Sequence, residues 1–280
     1  VLTVPGRPGL IAPGPDAPLV AHARRSRLAG WLREGRRRAA LMHSVGFVVK
    51  NLPPVLATAR VLHGLCERER PALIHLNDAV PLVRPGILAA RWAHIPCLAH
   101  VRAFTPLNAF ERWLARRVDG YIFNSQATQA HQMAQGVRPR QSWVIPNGLE
   151  LEAFADLPAP AEARMALGLA PVGPVVGTVG RVVAWKGHDV FLRALARLVP
   201  AWPGLQGVIV GAPEAHDPRP LAELQALAAE LCLGEHLHLA GFRPDVPRVL
   251  PAMDVFVHSA IEPEPFGRVI IEAMAARVPV

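Results

Sequence analysis

The sequence predicts an α/β protein made of two similar halves, each built around a parallel sheet. Short apolar runs rich in β-branched residues alternate with longer segments whose apolar residues recur at helical spacing. Such alternation indicates βαβ units and therefore parallel strands. The alternation is interrupted by Pro- and Ala-rich sequence between about residues 150 and 172. A length of 280 residues leaves room for two modest domains on either side of that interruption.

The first half has four candidate strands. They are Leu73–Leu76, Cys97–Val101, Tyr121–Phe123 and Trp143–Ile145. The intervening segments with helical spacing are Ile87–Ala93 and Phe110–Arg117. After the third strand, Asn124 and Ser125 form a good N-cap pair for a further helix. We therefore predict a first domain over residues 1–155 and a linker over residues 156–172.

The second half, residues 173–280, continues the same alternation. Its candidate strands are Val175–Val179, Gly207–Val210, Leu237–Leu239, Asp254–Val257 and Pro279–Val280. Its candidate helices are His188–Val199, Leu221–Leu231 and Gly267–Ala276. Ligands of such sheets bind at the carboxyl ends of the strands, where loops lead into helices.

Composition excludes several classes of protein. With 51% hydrophobic and 19% charged residues, the chain is not intrinsically disordered. No apolar run approaches the ~18 residues of a membrane-spanning helix, and no signal peptide is recognisable at the start. Three widely separated cysteines form neither a disulfide framework nor a Cys-x-x-Cys metal motif. We therefore expect a reducing compartment and a cytoplasmic protein.

The formal net charge of +8 favours anionic partners such as phosphates or acidic lipids. Lysine occurs only at Lys50 and Lys186, and all other Lys and Arg residues are arginine. The stretch Arg24–Arg38 interleaves arginines with leucine and tryptophan, a pattern typical of helices on anionic membrane surfaces. A solvated arginine-rich face is the competing interpretation. One tyrosine and no recognised nucleic-acid motif argue against nucleic-acid binding.

The sharpest motif surrounds two glutamates, Glu264 and Glu272, at a predicted strand-to-helix junction. Glu264 lies in the loop before the helix that opens near Gly267, and Glu272 lies within that helix. Paired carboxylates accept hydrogen bonds from polyhydroxyl groups, and the helix start offers free N–H groups to a phosphate. An acidic loop followed by a solvated helical glutamate is the competing interpretation. The framing Pro-Phe-Gly and Glu-Ala-Met-Ala sequences favour a binding site.

A second motif runs from Gly177 to His188 and carries two cations, Arg181 and Lys186. Cations at the end of a strand and beside a helix start suit a diphosphate. Gly180 and Gly187 are expected to permit close backbone approach. The motif is not a Walker A sequence, and two ordinary surface cations are the competing interpretation.

His100 ends an apolar run in the first half, where it could hydrogen-bond a substrate or relay a proton. A packing or capping histidine is the competing interpretation for this residue. The sequence has no Asp-x-Asp motif for a metal–diphosphate bridge, no HExxH and no Gly-x-Ser-x-Gly.

These motifs, in this order, resemble glycosyltransferase family 4, whose members are retaining enzymes of the GT-B class. The resemblance spans most of the chain. It rests on Gly180-Arg181 with Lys186-Gly187, Ile145 to Gly148, Phe123 to Ser125, His100, and Glu264 to Gly267 with Glu272 to Ala275. It implies two Rossmann-like domains facing a cleft, with both ends of the chain truncated. The first βα unit would be missing from the first domain, and the second domain would be incomplete.

The resemblance also implies residue roles. Arg181 and Lys186 match the cations that bind the donor diphosphate, and Glu272 matches the carboxylate that holds the nucleotide ribose. Glu264 matches the acidic residue facing the donor sugar, and His100 matches a histidine near the transferred sugar. The backbone of Phe266, Gly267 and Arg268 would contact diphosphate or sugar hydroxyls. Only the backbone role is carried over for Arg268, because many members have an aliphatic residue there.

The implied activity is retaining, metal-independent transfer of a sugar from a nucleoside diphosphate sugar to a glycan or lipid-linked acceptor. The donor is a co-substrate, and neither a cofactor nor a metal is expected. Three further functions stay open: a sugar-nucleotide-binding fragment without turnover, an inverting GT-B transferase and an epimerase. Because terminal elements are expected to be missing, we expect this chain to be poorly soluble or inactive alone.

Overall fold

The computed structural model describes residues 52–280, so the basic stretch Arg24–Arg38 lies outside the described residues. Within residues 52–280 there are two four-stranded sheets, and every strand pair in both sheets is parallel. Helices lie between successive strands in each half. The predicted α/β architecture of two Rossmann-like domains is confirmed.

The first sheet has the strand order β1-β2-β3-β4. Its strands are β1 (Ile74–Leu76), β2 (Cys97–Val101), β3 (Gly120–Phe123) and β4 (Gln141–Val144). Its helices are α1 (residues 52–69), α2 (Val80–Trp92), α3 (Ala109–Ala115) and α4 (Gln126–Ala134). The sequence prediction missed α1 and placed the start of α2 at Ile87. Helix α2 begins seven residues earlier because Pro81, in its first turn, needs no N–H partner there.

The second sheet has the strand order β7-β6-β5-β8. Its strands are β5 (Val175–Val179), β6 (Gln206–Val210), β7 (Leu237–Gly241) and β8 (Val255–Phe256). Its helices are α5 (Pro160–Ala166), α6 (His188–Leu198), α7 (Arg219–Glu230), α8 (Val246–Val249) and α9 (Arg268–Ala275). After β5 the chain adds β6 and β7 on one side and then returns to place β8 on the other. The direction of winding therefore reverses between β5 and β8, where such sheets form a ligand crevice.

Alternating residues of the second sheet supply two apolar clusters. In β6, Val208 and Val210 are buried in one cluster, whereas Ile209 is buried in the other. Side chains of successive strand residues point to opposite faces, so both faces of this sheet are covered. The loops at the strand ends therefore extend from a sheet that is packed on both faces.

Helix α5 lies inside the segment 156–172 that the sequence predicts as a linker. Its residue Arg164 is buried, and the guanidinium binds the Asp254 carboxylate at 2.8 Å and the Ala252 carbonyl at 3.0 Å. Ala163 packs in a core cluster of the second sheet. The Pro- and Ala-rich composition indicated a linker, but Pro160 is the first residue of a helix that packs on the second half. The division at residues 155 and 173 stays a prediction.

Pro279–Val280, predicted as a strand, is not assigned to one, although the Phe256 N–H donates to the Pro279 carbonyl at 2.8 Å. That bond places the chain beside β8 on the side away from β5. Among residues 52–280, no helix combines the length and apolar character needed to cross a membrane.

Candidate functional site

The two main sequence motifs meet at the point where the second sheet reverses its winding. The loop after β5 carries Lys186 and the loop after β8 carries Glu264. The Lys186 Nζ lies 2.6 Å from the Glu264 Oε2, although 78 residues separate them in the sequence. Both side chains are largely buried, at 14% and 20% exposed. The fold therefore places a cation and a carboxylate of the predicted site in direct contact.

Gly187 allows these two loops to approach each other. Its φ is +64°, in the left-handed region, and a Cβ there would lie 2.1 Å from the Ser259 carbonyl oxygen. The Ser259 hydroxyl donates to the Lys186 carbonyl at 2.9 Å, and the Ile261 N–H donates to the Trp185 carbonyl at 3.0 Å. The expected close approach at Gly187 is present, and it holds the loop of Lys186 against the loop of Glu264.

The expected close approach at Gly180 depends on a different glycine. A Cβ on Gly180 would make only ordinary contact, 3.7 Å from the Lys186 side chain. Gly211, at the end of β6, has a φ of +152°, and a Cβ there would lie 1.8 Å from the Gly180 carbonyl oxygen. The neighbouring strand therefore supplies the glycine that the loop requires. The sequence prediction of a close backbone approach at Gly180 is correct. The residue that must be glycine for this approach is Gly211, not Gly180.

Arg181 lies at the rim of the site, with 61% of its side chain exposed. Its Nη1 donates to the Glu214 Oε1 at 2.5 Å. The backbone of this loop contacts a buried side chain: the His188 Nε2 lies 3.0 Å from the Arg181 carbonyl oxygen. Glu214 was missed by the sequence prediction, because nothing in the loop after β6 distinguishes it from a solvated acid. Both predicted diphosphate cations thus have a carboxylate partner.

Helix α9 begins directly after Gly267, whose φ of +77° turns the chain into the helix. Phe266, Gly267 and Arg268 therefore lie at a helix start, where backbone N–H groups lack partners within the helix. One turn later Glu272 is 8% exposed, and its Oε1 accepts a hydrogen bond from the Arg268 Nε at 2.7 Å. The sequence prediction left the Arg268 side chain without a role.

His100 lies in β2 of the first sheet. Its ring stacks on the His75 ring with centroids 5.6 Å apart, and its Nδ1 is 3.5 Å from an Arg102 nitrogen. Within residues 52–280 the buried His100 Nε2 has no hydrogen-bond partner. Burial, then the Arg102 charge and His75, lower the pKa of His100. The described contacts of His100 do not include Lys186 or Glu264, so its predicted place near the transferred sugar stays a prediction.

A direct contact joins the two halves at this site. The Ser125 hydroxyl, at the N-cap of α4, donates to the Pro265 carbonyl at 2.6 Å. The same oxygen accepts from the Thr128 N–H at 3.1 Å. The sequence identified Ser125 as a helix cap, which is confirmed, but gave no signal that it reaches the second half. The loop containing Glu264 is therefore held by residues of both halves.

Two further histidines lie beside the charged residues. The Nε2 of His258 lies 3.5 Å from the Glu264 Oε2. The sequence analysis did not identify His258 as a residue of the site. Burial is the main cause that lowers the pKa of His188, and the nearby Lys186 charge contributes in the same direction. In the part of the chain from 52 to 280, no group of three or more His, Cys, Asp or Glu side chains could hold a metal ion.

Comparison with known families matches both halves of the chain. The family described as Glycosyltransferase Family 4 matches residues 7–153, and the family described as Glycosyl transferases group 1 matches residues 161–280. A 2-deoxystreptamine glucosyltransferase of Streptomyces kanamyceticus is 28% identical over 228 residues, covering 74% of this chain and 57% of the relative. A D-inositol 3-phosphate glycosyltransferase of Mycobacterium marinum is 35% identical over 223 residues, covering 78% of this chain and 45% of the relative.

Solved structures show the same fold. HepE of Anabaena, crystallised with UDP and glucose, superposes with a TM-score of 0.70 at 30% identity, covering 81% of this chain and 61% of HepE. A sucrose-phosphate synthase of Thermosynechococcus elongatus superposes with a TM-score of 0.67 at 22% identity, over 82% and 60% of the two chains. The chain thus spans less than two thirds of the length of each of these relatives.

Proposed function

Given that the chain belongs to glycosyltransferase family 4, we propose that it acts in transferring a sugar from a nucleoside diphosphate sugar to an acceptor hydroxyl. The two-domain GT-B architecture predicted from the sequence is present. HepE, a structural relative, was crystallised with UDP-glucose as well as with UDP and glucose, which supports a nucleotide-sugar donor for this chain also.

One observation carries the proposal. At the winding reversal of the second sheet, the loop after β5 carries Arg181 and Lys186, and Lys186 contacts Glu264 in the loop that leads directly into the helix of Glu272. Arg181 and Lys186 would bind the donor diphosphate, aided by the backbone at Phe266, Gly267 and Arg268. A diphosphate suits this place because the helix start and both cations act on the same anion. Glu272 would hold the ribose, and Glu264 would face the donor sugar.

The chemistry follows from those roles. As the anomeric C–O bond breaks, the leaving diphosphate keeps the electron pair, and Arg181 and Lys186 stabilise the charge that develops. These cations would do this without a metal ion. The acceptor oxygen bonds to the anomeric carbon on the face that the diphosphate leaves, and its proton passes to a diphosphate oxygen. Configuration is thereby retained.

In this scheme Glu264 is not the nucleophile. Attack by the acceptor on the face that the diphosphate leaves needs no nucleophile from the protein, so Glu264, which pairs with the Lys186 ammonium at 2.6 Å when no donor is bound, is assigned an orienting role toward the sugar hydroxyls. Burial lowers the pKa of His100, which favours the neutral ring, and His100 would hydrogen-bond the transferred sugar from the first domain.

The test is a screen of UDP-, GDP- and ADP-sugars by thermal shift, followed by an assay of nucleoside diphosphate release and sugar transfer. A donor that binds the folded state raises the apparent stability. We expect one donor class to bind and turn over, at a rate unchanged by EDTA, and to give a product of retained anomeric configuration by NMR. Binding without turnover would instead support a non-catalytic sugar-nucleotide-binding protein. An inverted product would indicate an inverting transferase, and a free epimerised sugar would indicate an epimerase.

The acceptor is proposed to be a glycan or a lipid-linked molecule reached from the cytoplasmic side. The arginine-rich residues 24–38 would then hold the protein to the inner face of the membrane. We expect flotation with liposomes that contain anionic lipid, and no flotation when the lipid is zwitterionic. Replacing the arginines at 36, 37 and 38 with glutamine should weaken flotation. Equal flotation with both lipids would contradict this proposal.

A further inference from the structure

We propose that Arg268 is a positioning residue for Glu272 and thereby sets how strongly the site distinguishes a ribose from a 2′-deoxyribose. The inference rests on the proposed function, because it assumes that Glu272 meets the nucleotide ribose. It concerns a side chain to which the family resemblance gives no role, since many members have an aliphatic residue there.

The contact is well defined. The Arg268 Nε donates to the Glu272 Oε1 at 2.7 Å, four residues along the same helix. The Glu272 side chain is 11% exposed, whereas that of Arg268 is 69% exposed. Within residues 52–280 the second carboxylate oxygen, Oε2, accepts no hydrogen bond. The guanidinium thus holds one oxygen of the buried carboxylate and leaves the other for another donor, such as a sugar hydroxyl.

Helix stability does not explain the pair. Arg268 is the first residue of α9, where a positive charge opposes the helix dipole. The order is also the less favourable of the two, because an acid N-terminal to a base is the better arrangement at this spacing. A cation at this position is therefore poorly placed for the helix, but it is well placed to orient Glu272.

The orientation has a chemical consequence. A carboxylate that accepts a charge-assisted hydrogen bond from a guanidinium is held in one orientation. Loss of the guanidinium would free the carboxylate to adopt other rotamers, and its hydrogen bond to a ribose hydroxyl would weaken. The diphosphate contacts made by Arg181 and Lys186 would not change.

The experiment uses whichever of UDP, GDP and ADP binds best, together with its 2′-deoxy counterpart. We measure both dissociation constants by calorimetry for the wild-type protein and for the Arg268→Leu variant. We expect the wild-type protein to prefer the ribonucleotide by roughly 10- to 100-fold, the value of a hydrogen bond to a charged group. In Arg268→Leu this preference should fall to about threefold or less, and Arg268→Lys should restore part of it. Arg197→Leu, at an exposed position on α6, is the control and should keep the full preference.

Inorganic pyrophosphate separates positioning from direct phosphate binding. If Arg268 acts through Glu272, the affinity for pyrophosphate falls by no more than about threefold in Arg268→Leu, because only a solvent-screened charge at the helix start is lost. A larger loss of pyrophosphate affinity would overturn the inference, because Arg268 would then bind the phosphates itself. An unchanged ribose preference in a folded Arg268→Leu variant would also overturn it while leaving the proposed function intact. Failure of the wild-type protein to bind any nucleoside diphosphate would overturn both.

Discussion

Replacing Lys186 with methionine is expected to lower the turnover number for sugar transfer by about 10²- to 10³-fold, as the loss of one preorganised donor to a developing negative charge does in other enzymes. Methionine keeps the length and apolar stem of lysine but removes the charge. The ammonium lies in a largely buried position, where no solvent cation can easily replace it. Release of nucleoside diphosphate under saturating donor gives the measurement.

The control for this substitution is Arg197→Met, which removes an exposed cation from the far end of α6 and should leave turnover unchanged. Circular dichroism checks that both variants remain folded. Lys186 is paired with Glu264, so the double variant Lys186→Met with Glu264→Gln shows whether an unpaired carboxylate causes the loss. Recovery of most of the activity in the double variant would contradict the role proposed for Lys186.

Replacing Gly187 with alanine is expected to lower the free energy of unfolding by roughly 3 kcal/mol. The left-handed conformation costs a non-glycine residue about 1 kcal/mol, and the steric overlap adds about 1–3 kcal/mol. The overlap is severe because the new Cβ would meet the Ser259 carbonyl oxygen at 2.1 Å, and that atom belongs to backbone. Chemical denaturation followed by circular dichroism gives the value.

Gly241 offers a matched control. Its φ of +67° is nearly that of Gly187, but a Cβ there would meet no atom within 4 Å among the described residues. Gly241→Ala should therefore lower the free energy of unfolding only by the cost of the left-handed backbone conformation, about 1 kcal/mol. Equal losses at both positions would show that the contact between the two loops contributes nothing to stability.

A Gly187→Ala variant that stays folded should also bind donor more weakly, because Lys186 precedes the strained residue.

The regular elements of the fold could largely be predicted from the sequence. Strand β5 and helix α6 were predicted to within a residue, because a β-branched run and a leucine spacing are local signals. Ser125 was identified as an N-cap for the same reason. Helix α5 was not predicted, because its Pro- and Ala-rich sequence is equally typical of a linker, and its packing comes from the distant Asp254.

The candidate site was predicted less completely. Lys186 and Glu264 were each identified, but their contact depends on β5 and β8 lying side by side, which no local signal gives. Glu214 and His258 were missed because single acids and histidines in loops carry no periodic pattern. The requirement for glycine at Gly211 arises from a neighbouring strand, so it becomes visible only once the register of the sheet is known.

The two ion pairs of the site have a consequence for the kinetics of donor binding. Arg181 and Lys186 contribute two positive charges, and Glu214 and Glu264 cancel them with two negative charges. These four side chains would therefore give an incoming diphosphate little long-range attraction, and any dependence of its association rate on ionic strength would come from the net charge of +8 on the rest of the chain. On binding, the diphosphate would replace Glu214 and Glu264 as the partner of Arg181 and Lys186. When the nucleoside diphosphate leaves, the two carboxylates would take back the cations and so speed its departure.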